Sequence, residues 1–213
     1  MSTNTRPKGG LIDKRNAILT AALAVFAREG FSRAGLDAIS AEEKVSTRTI
    51  YNHFEDKAEL FRASIHESAA RVADVQVELI DRHLGGLASG ADVEAVFVAF
   101  ATEWSATVTR FQDHFALVLQ MPAESKHLPR ATVDAWLRTG PMRVRRELAH
   151  YFQRLNDKGL LQIDDSDTAA QHFSLLTSAA IPPFYCGSVH EEGETAAAVA
   201  AAVRTFLHGC GAR

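Results

Sequence analysis

Between residues 35 and 56 the chain punctuates three consecutive helix starts, and this constrains its fold more than any other feature. Ser46 stands where its hydroxyl accepts from a free amide at Arg48 or Thr49, as an N-cap. Val45 before it and Ile50 after it have the spacing of a hydrophobic staple, and Asp56 and Glu59 that of a capping box opening a further helix. Leu36 and Ile39 begin a short helix before these signals, a break falls at Lys44-Val45-Ser46, and a second short helix follows from Thr47 to about His53. Two short helices about three residues apart form a helix-turn-helix, which places the unit at Leu36 to His53.

The remaining pattern is helical throughout. Ile12, Ile18, Leu19, Ala22, Val25 and Phe26 recur at helical spacing, and Gly30 is placed to end that helix. A long connecting helix is expected from Asp56 to about Arg82. Helices near 91–109, 111–121, 128–137, 142–158 and 168–180 should follow, the last stopped by Pro182-Pro183. The alanine-rich run 194–207 reads as a final helix. No period-2 run suggests a strand. The expected fold is all-α: an N-terminal arm and three-helix helix-turn-helix domain over 1–55, then a connecting helix and a larger helical domain over 56–213.

The helix Thr47-Arg48-Thr49-Ile50-Tyr51-Asn52-His53 has one apolar position, and its other side chains form hydrogen bonds without bringing negative charge. That suits a major groove, where Arg pairs with guanine, Asn with adenine, and Thr touches a thymine methyl or a phosphate. Lys44, Tyr51, His53 and Lys57 flank it as candidate phosphate contacts. Composition alone leaves open a solvated surface helix of an unrelated bundle. The formal net charge is −3 over 213 residues, so any nucleic-acid footprint must be local. Residues 1–61 hold nine Lys or Arg against eight Asp or Glu, so affinity must come from placement rather than bulk charge.

Other classes find little support. Cys186 and Cys210 suit a reducing cytoplasm rather than a disulfide scaffold. The first ten residues lack an apolar signal core, and no apolar run is long enough to span a membrane. An enzyme would need a nucleophile constellation or a phosphate-cradling glycine loop, and neither is present. Apart from His53, the histidines 66, 83, 114, 127, 150, 172, 190 and 208 are scattered. A metal sensor would rest on Cys186 and His190 alone, beside Pro182-Pro183. No cofactor and no metal is expected.

The string Val45-Ser46-x-x-Thr49-Ile50-Tyr51-x-His53-Phe54-x-x-Lys57-x-x-Leu60-Phe61 resembles the DNA-binding domain of TetR-family transcriptional regulators. Arg15, Ile18, Leu19, Ala21, Ala22, Phe26, Gly30, Phe31 and Ile39 extend the likeness over 15–61. The stretch 111–180 resembles C-terminal domains of the AefR-like branch. The resemblance implies a cytoplasmic homodimer that binds a double-stranded DNA operator and is released, as a repressor, by a small effector. DNA contacts would come from Lys44, Ser46, Thr47, Arg48, Thr49, Tyr51, Asn52, His53 and Lys57. Three positions depart from the pattern. Gly35 replaces a hydroxyl cap, Glu43 a small apolar residue, and Lys44 the glycine of the turn. A lysine there costs roughly 1 kcal/mol if positive φ is required. Glu42 and Glu43 would weaken non-specific binding.

In the larger domain the resemblance implies a cavity for a largely apolar or aromatic effector. Its expected wall is Phe97, Phe100, Trp104, Phe111, His114, Phe115, Val118, Trp136, Tyr151 and Phe152. Ordinary core packing is the alternative for each. The last two helices would form a dimer interface through His172, Phe173, Leu176, Ala180, Val199, Val203 and Phe206, with intramolecular packing as the alternative.

Overall fold

The apolar periodicities fold as helices close to where their spacing places them. The computed structural model describes residues 8–124, 126–179 and 192–209, and no strand occurs among them. The helices are α1 (Lys8–Glu29), α2 (Leu36–Glu43), α3 (Thr47–Tyr51), α4 (Lys57–Leu84), α5 (Val93–Arg110), α6 (Gln112–Gln120), α7 (Arg130–Thr139), α8 (Pro141–Asp157), α9 (Ser166–Ala179) and α10 (Glu192–His208). Helix α3 ends at Tyr51 rather than His53, because the amides of His53 and Phe54 both turn back onto the Ile50 carbonyl. None of the described helices is long and apolar enough to cross a membrane.

The chain forms two compact units: residues 1–70 with 112–137, and residues 71–111 with 138–213. A boundary after residue 55 does not coincide with them. The first half of α4, all of α6 and most of α7 join the helix-turn-helix. The physical reason is burial. Leu60, Phe61 and Ile65 of α4, and Leu117, Met121 and Leu128 from α6 onward, share one apolar cluster with Ile18, Phe26, Ile39 and Ile50. A chain of some 55 residues buries too little surface alone to be more than marginally stable.

In the first unit, Phe61 packs edge-on against Phe26 and Phe31, with ring centroids 5.1 and 5.0 Å away. Helix α1 stops at Gly30, which is left-handed at φ +79°, and a Cβ there would meet Glu124 Oε1 at 2.7 Å. The end of α1 is also held by α6 and the residues after it. Gln120 Nε2 donates to the Ala27 carbonyl and the Ser32 hydroxyl donates to Glu124.

In the second unit, Phe97, Phe100, Phe152 and Phe173 have no accessible surface and touch ring to ring at 5.4–5.9 Å. Polar clips join the second half of α4 to α8. Arg143 pairs with Asp74 at 2.7 Å, and the Tyr151 hydroxyl donates to Asp81 at 2.5 Å.

Candidate nucleic-acid interface

The turn between α2 and α3 is built by backbone geometry first. Lys44 ends α2 in the left-handed region (φ 56°, ψ 43°), the only non-glycine residue with positive φ among the described residues. Its amide bonds to the Ala41 carbonyl and that of Val45 to the Ser40 carbonyl, a helix stop of the kind usually given to glycine. Gly35 caps α2 with extended backbone and no side-chain bond.

Ser46 then starts α3, its Oγ accepting from the Thr49 amide at 3.1 Å. Ser46 Oγ and Thr49 Oγ1 also lie 2.9 Å apart, so the two hydroxyls hold each other. Ile50 is buried and Val45 packs beside its cluster, which is the expected staple. With Ile50 anchoring the inner face, the outer face is left to Arg48, Tyr51 and Asn52, all exposed; Thr47, Thr49 and His53 are half-buried. Tyr51 keeps 57% of its surface exposed, a large value for an aromatic residue. Lys44 and Arg48 have no ion-pair partner among the described residues.

The two acidic residues before the turn are engaged elsewhere. Glu43 pairs with Lys14 and Glu42 with Arg28, each at 3.5 Å, so both carboxylates face cations of α1. Exposed pairs of this kind add about 0–1 kcal/mol to stability. Their consequence here is electrostatic, since they offset negative charge beside α3.

At the start of α4, Asp56 Oδ1 accepts from the Glu59 amide at 2.7 Å. Glu59 reaches back to the amide of Glu55, one residue earlier than a standard capping box requires. The Lys57 ammonium does not project outward. It donates to the carbonyls of Phe31, Ser32 and Ala34 at 2.9, 3.3 and 3.0 Å and lies 4.9 Å from the Phe31 ring centre.

Two family models match the chain: one for bacterial regulatory proteins of the tetR family over residues 18–64, the other for the AefR-like transcriptional repressor C-terminal domain over residues 96–211. The chain belongs to the TetR family. It is therefore a transcriptional regulator of a class that binds DNA rather than catalysing a reaction. Solved structures share the fold. A TetR-family regulator from Mesorhizobium loti is 23% identical, with a TM-score of 0.77, and the match covers 95% of this chain and 98% of that one. The fatty acid degradation regulator FadR from Bacillus halodurans is 18% identical with a TM-score of 0.69, over 94% and 97% of the chains. The flavonoid-responsive regulator FrrA is 25% identical with a TM-score of 0.59, over 94% and 98%. No curated protein matches in sequence.

The residues expected to line an effector cavity do not gather in one place. Phe97, Phe100 and Phe152 have no accessible area and fill the core of the second unit; Trp104, also buried, packs edge-on against Phe100. Aromatic side chains at helical spacing pack into a closed core because each ring meets the edge or face of the next. Tyr151 is half-buried and bonded to Asp81, and Phe111 is half-buried beneath Arg110. His114, Phe115, Val118 and Trp136 belong to the first unit. His114 is buried, its Nδ1 3.0 Å from Ser68 Oγ, and the Trp136 indole nitrogen is buried without a hydrogen-bond partner.

The expected dimer residues also divide. Phe173, Val199 and Val203 are buried within the protomer and are core residues. His172 is exposed, Leu176 and Phe206 are half-buried, and Ala180 lies outside the described residues, as do Cys186 and His190. Leu175, absent from the expected interface residues, is 60% exposed. Positions 172, 175 and 176 form a second stripe beside 169, 170, 173 and 177, and periodicity alone does not say which of the two stripes faces inward.

Proposed function

We propose that this chain is a cytoplasmic, homodimeric repressor whose α3 reads an operator and which a small, largely apolar or aromatic effector releases. The observation that carries the operator reading is the capped α3, with Ile50 buried beneath it and Arg48, Tyr51 and Asn52 exposed on the far side. Ser46, Thr47 and Arg48 meet base edges from the helix N-terminus. Tyr51 and His53 contact phosphates, joined by Lys44 from the turn. One helix this short contacts few bases, and a two-fold partner doubles the site. Leu175, with His172 and Leu176 beside it, supplies the exposed face of α9 for that partner.

The effector class is supported by two relatives, whose names tie them to fatty acid degradation and to flavonoids. In this chain the half-buried Phe115, Val118 and Trp136 are the candidates to meet it. A buried indole N–H without a partner costs about 1–3 kcal/mol, which an effector carrying a hydrogen-bond acceptor would recover. Release then follows if the effector binds the off-operator conformation more tightly.

The test is selection of operator sequences from random duplexes, followed by titration with fatty acids, their thioesters and flavonoids. Loss of operator affinity with one of these classes is expected. A panel that leaves affinity unchanged counts against effector release, and tighter binding on addition would make the protein an activator or co-repressed instead.

A further inference from the structure

We infer that the side chain of Lys57 is a positioning residue for DNA binding, and that it takes no part in contacting phosphate. An ammonium group has three donors and no acceptor. In Lys57 all three are spent, on the carbonyls of Phe31, Ser32 and Ala34. These carbonyls converge from the loop that begins at left-handed Gly30 and ends at Gly35, the cap of α2. Because Gly35 brings no side-chain bond to the start of α2, the loop ahead of it must be fixed from outside. Lys57 does this from the first position of α4, with the Phe31 ring against its ammonium. It therefore ties the entry of the helix-turn-helix to the helix that leaves it.

The surroundings of Lys57 also disfavour a phosphate. Asp56 and Glu59 place carboxylates on the amides of Glu59 and Glu55 in the first turn of α4, where a bound anion would otherwise sit. To reach a phosphate, Lys57 would have to leave three carbonyl oxygens without their donor and enter a site lined by two negative charges.

A phosphate contact and a positioning contact give different salt dependences. Each neutralised phosphate contributes about 0.9 to the slope of log affinity against log salt concentration. The experiment measures operator affinity of the full-length protein at several salt concentrations, for the parent and for Lys57→Met. Circular dichroism confirms folding, and amide hydrogen exchange is followed over residues 31–43. Exchange needs no DNA, so it reports on Lys57 even if the operator reading fails. Expected for Lys57→Met are affinity reduced roughly tenfold, an unchanged salt slope and faster exchange in the loop and α2. A slope smaller by about one contact with unchanged exchange overturns the inference, as does parental affinity in folded protein. Lys57→Arg keeps the charge but cannot point three donors from one atom. It is expected to lose affinity like Lys57→Met, and parental affinity for it likewise overturns the inference.

Discussion

The Ser40 hydroxyl donates to the Val45 carbonyl at 2.7 Å, across the turn that separates α2 from α3. That bond and the two backbone bonds of the helix stop hold Lys44 in its left-handed conformation. The strain at Lys44 is tolerated because the turn around it is over-determined. Lys44→Gly should therefore raise unfolding free energy by about 1 kcal/mol, since glycine adopts positive φ freely. The same change removes an exposed cation beside α3, so operator affinity should fall while stability rises. Chemical denaturation and operator titration on one preparation separate the two effects. A variant less stable than the parent would show that the lysine side chain contributes to the turn.

Ser46→Ala removes the hydroxyl that accepts from the Thr49 amide and leaves Thr49 Oγ1 without its neighbour. Loss of an N-cap of this type costs about 0.5–2 kcal/mol. Ser46→Asp keeps the acceptor and should recover most of that stability, yet on the proposed operator contact its charge should weaken binding. Parental stability in the alanine variant would remove Ser46 from the set of caps.

How much was legible in the sequence depended on whether the determinant was local. The cap at Ser46 and the staple spacing of Val45 and Ile50 each follow from residues within a few positions, and the structure caps α3 with Ser46 and packs Val45 against the cluster that holds Ile50; the left-handed turn at Lys44 came from the family's glycine at that position, not from the local sequence. Lys57 was not legible, because its partners lie more than twenty residues earlier and are carbonyls, which carry no side-chain signature. The aromatic stripes are legible as stripes. Whether a ring lines a cavity or fills a core depends on which helices meet it, and periodicity does not encode that. For the same reason Phe173 and Leu175, two positions apart on α9, could not be assigned to inward and outward faces without the neighbours of α9.

Arg48 and Tyr51 should separate under mutation by kind of effect. Arg48→Ala should cost about 1–3 kcal/mol on the selected operator and relax preference at the base pair it meets. Tyr51→Phe should weaken binding to all duplexes alike, since a phosphate carries no sequence. Competition binding against single-base operator variants reads both. Unchanged affinity and preference in the arginine variant would assign base reading to Ser46, Thr47 and Asn52.

Leu175 and Phe173 test the dimer surface against the core. Leu175→Glu places charge on an exposed face and should shift sedimentation from dimer to monomer, leaving protomer unfolding little altered. Phe173→Ala opens a hole among Phe97, Phe100 and Phe152 and should cost about 3–5 kcal/mol. A Leu175→Glu variant that sediments as the parent does would move the interface off this face of α9.

The Tyr151–Asp81 bond predicts an alkaline limit to the second unit. The hydrogen bond to Asp81, then burial, push the Tyr151 phenol above its ordinary value of 10.0, because ionising it would set a phenolate against a carboxylate. A folded value raised above the unfolded one contributes stability that is fully present below pH 10. That contribution is lost as pH rises through the folded value. The neighbouring Arg154 guanidinium, 5.1 Å from the ring centre, opposes the shift without cancelling it. Ultraviolet titration of the phenols should show a tyrosine ionising above the ordinary value of 10.0, absent in Tyr151→Phe. The phenylalanine variant should be less stable at neutral pH, and its deficit should shrink as the parent's phenol ionises. If the deficit stays constant through that range, Tyr151 contributes by packing against Arg154 rather than through Asp81.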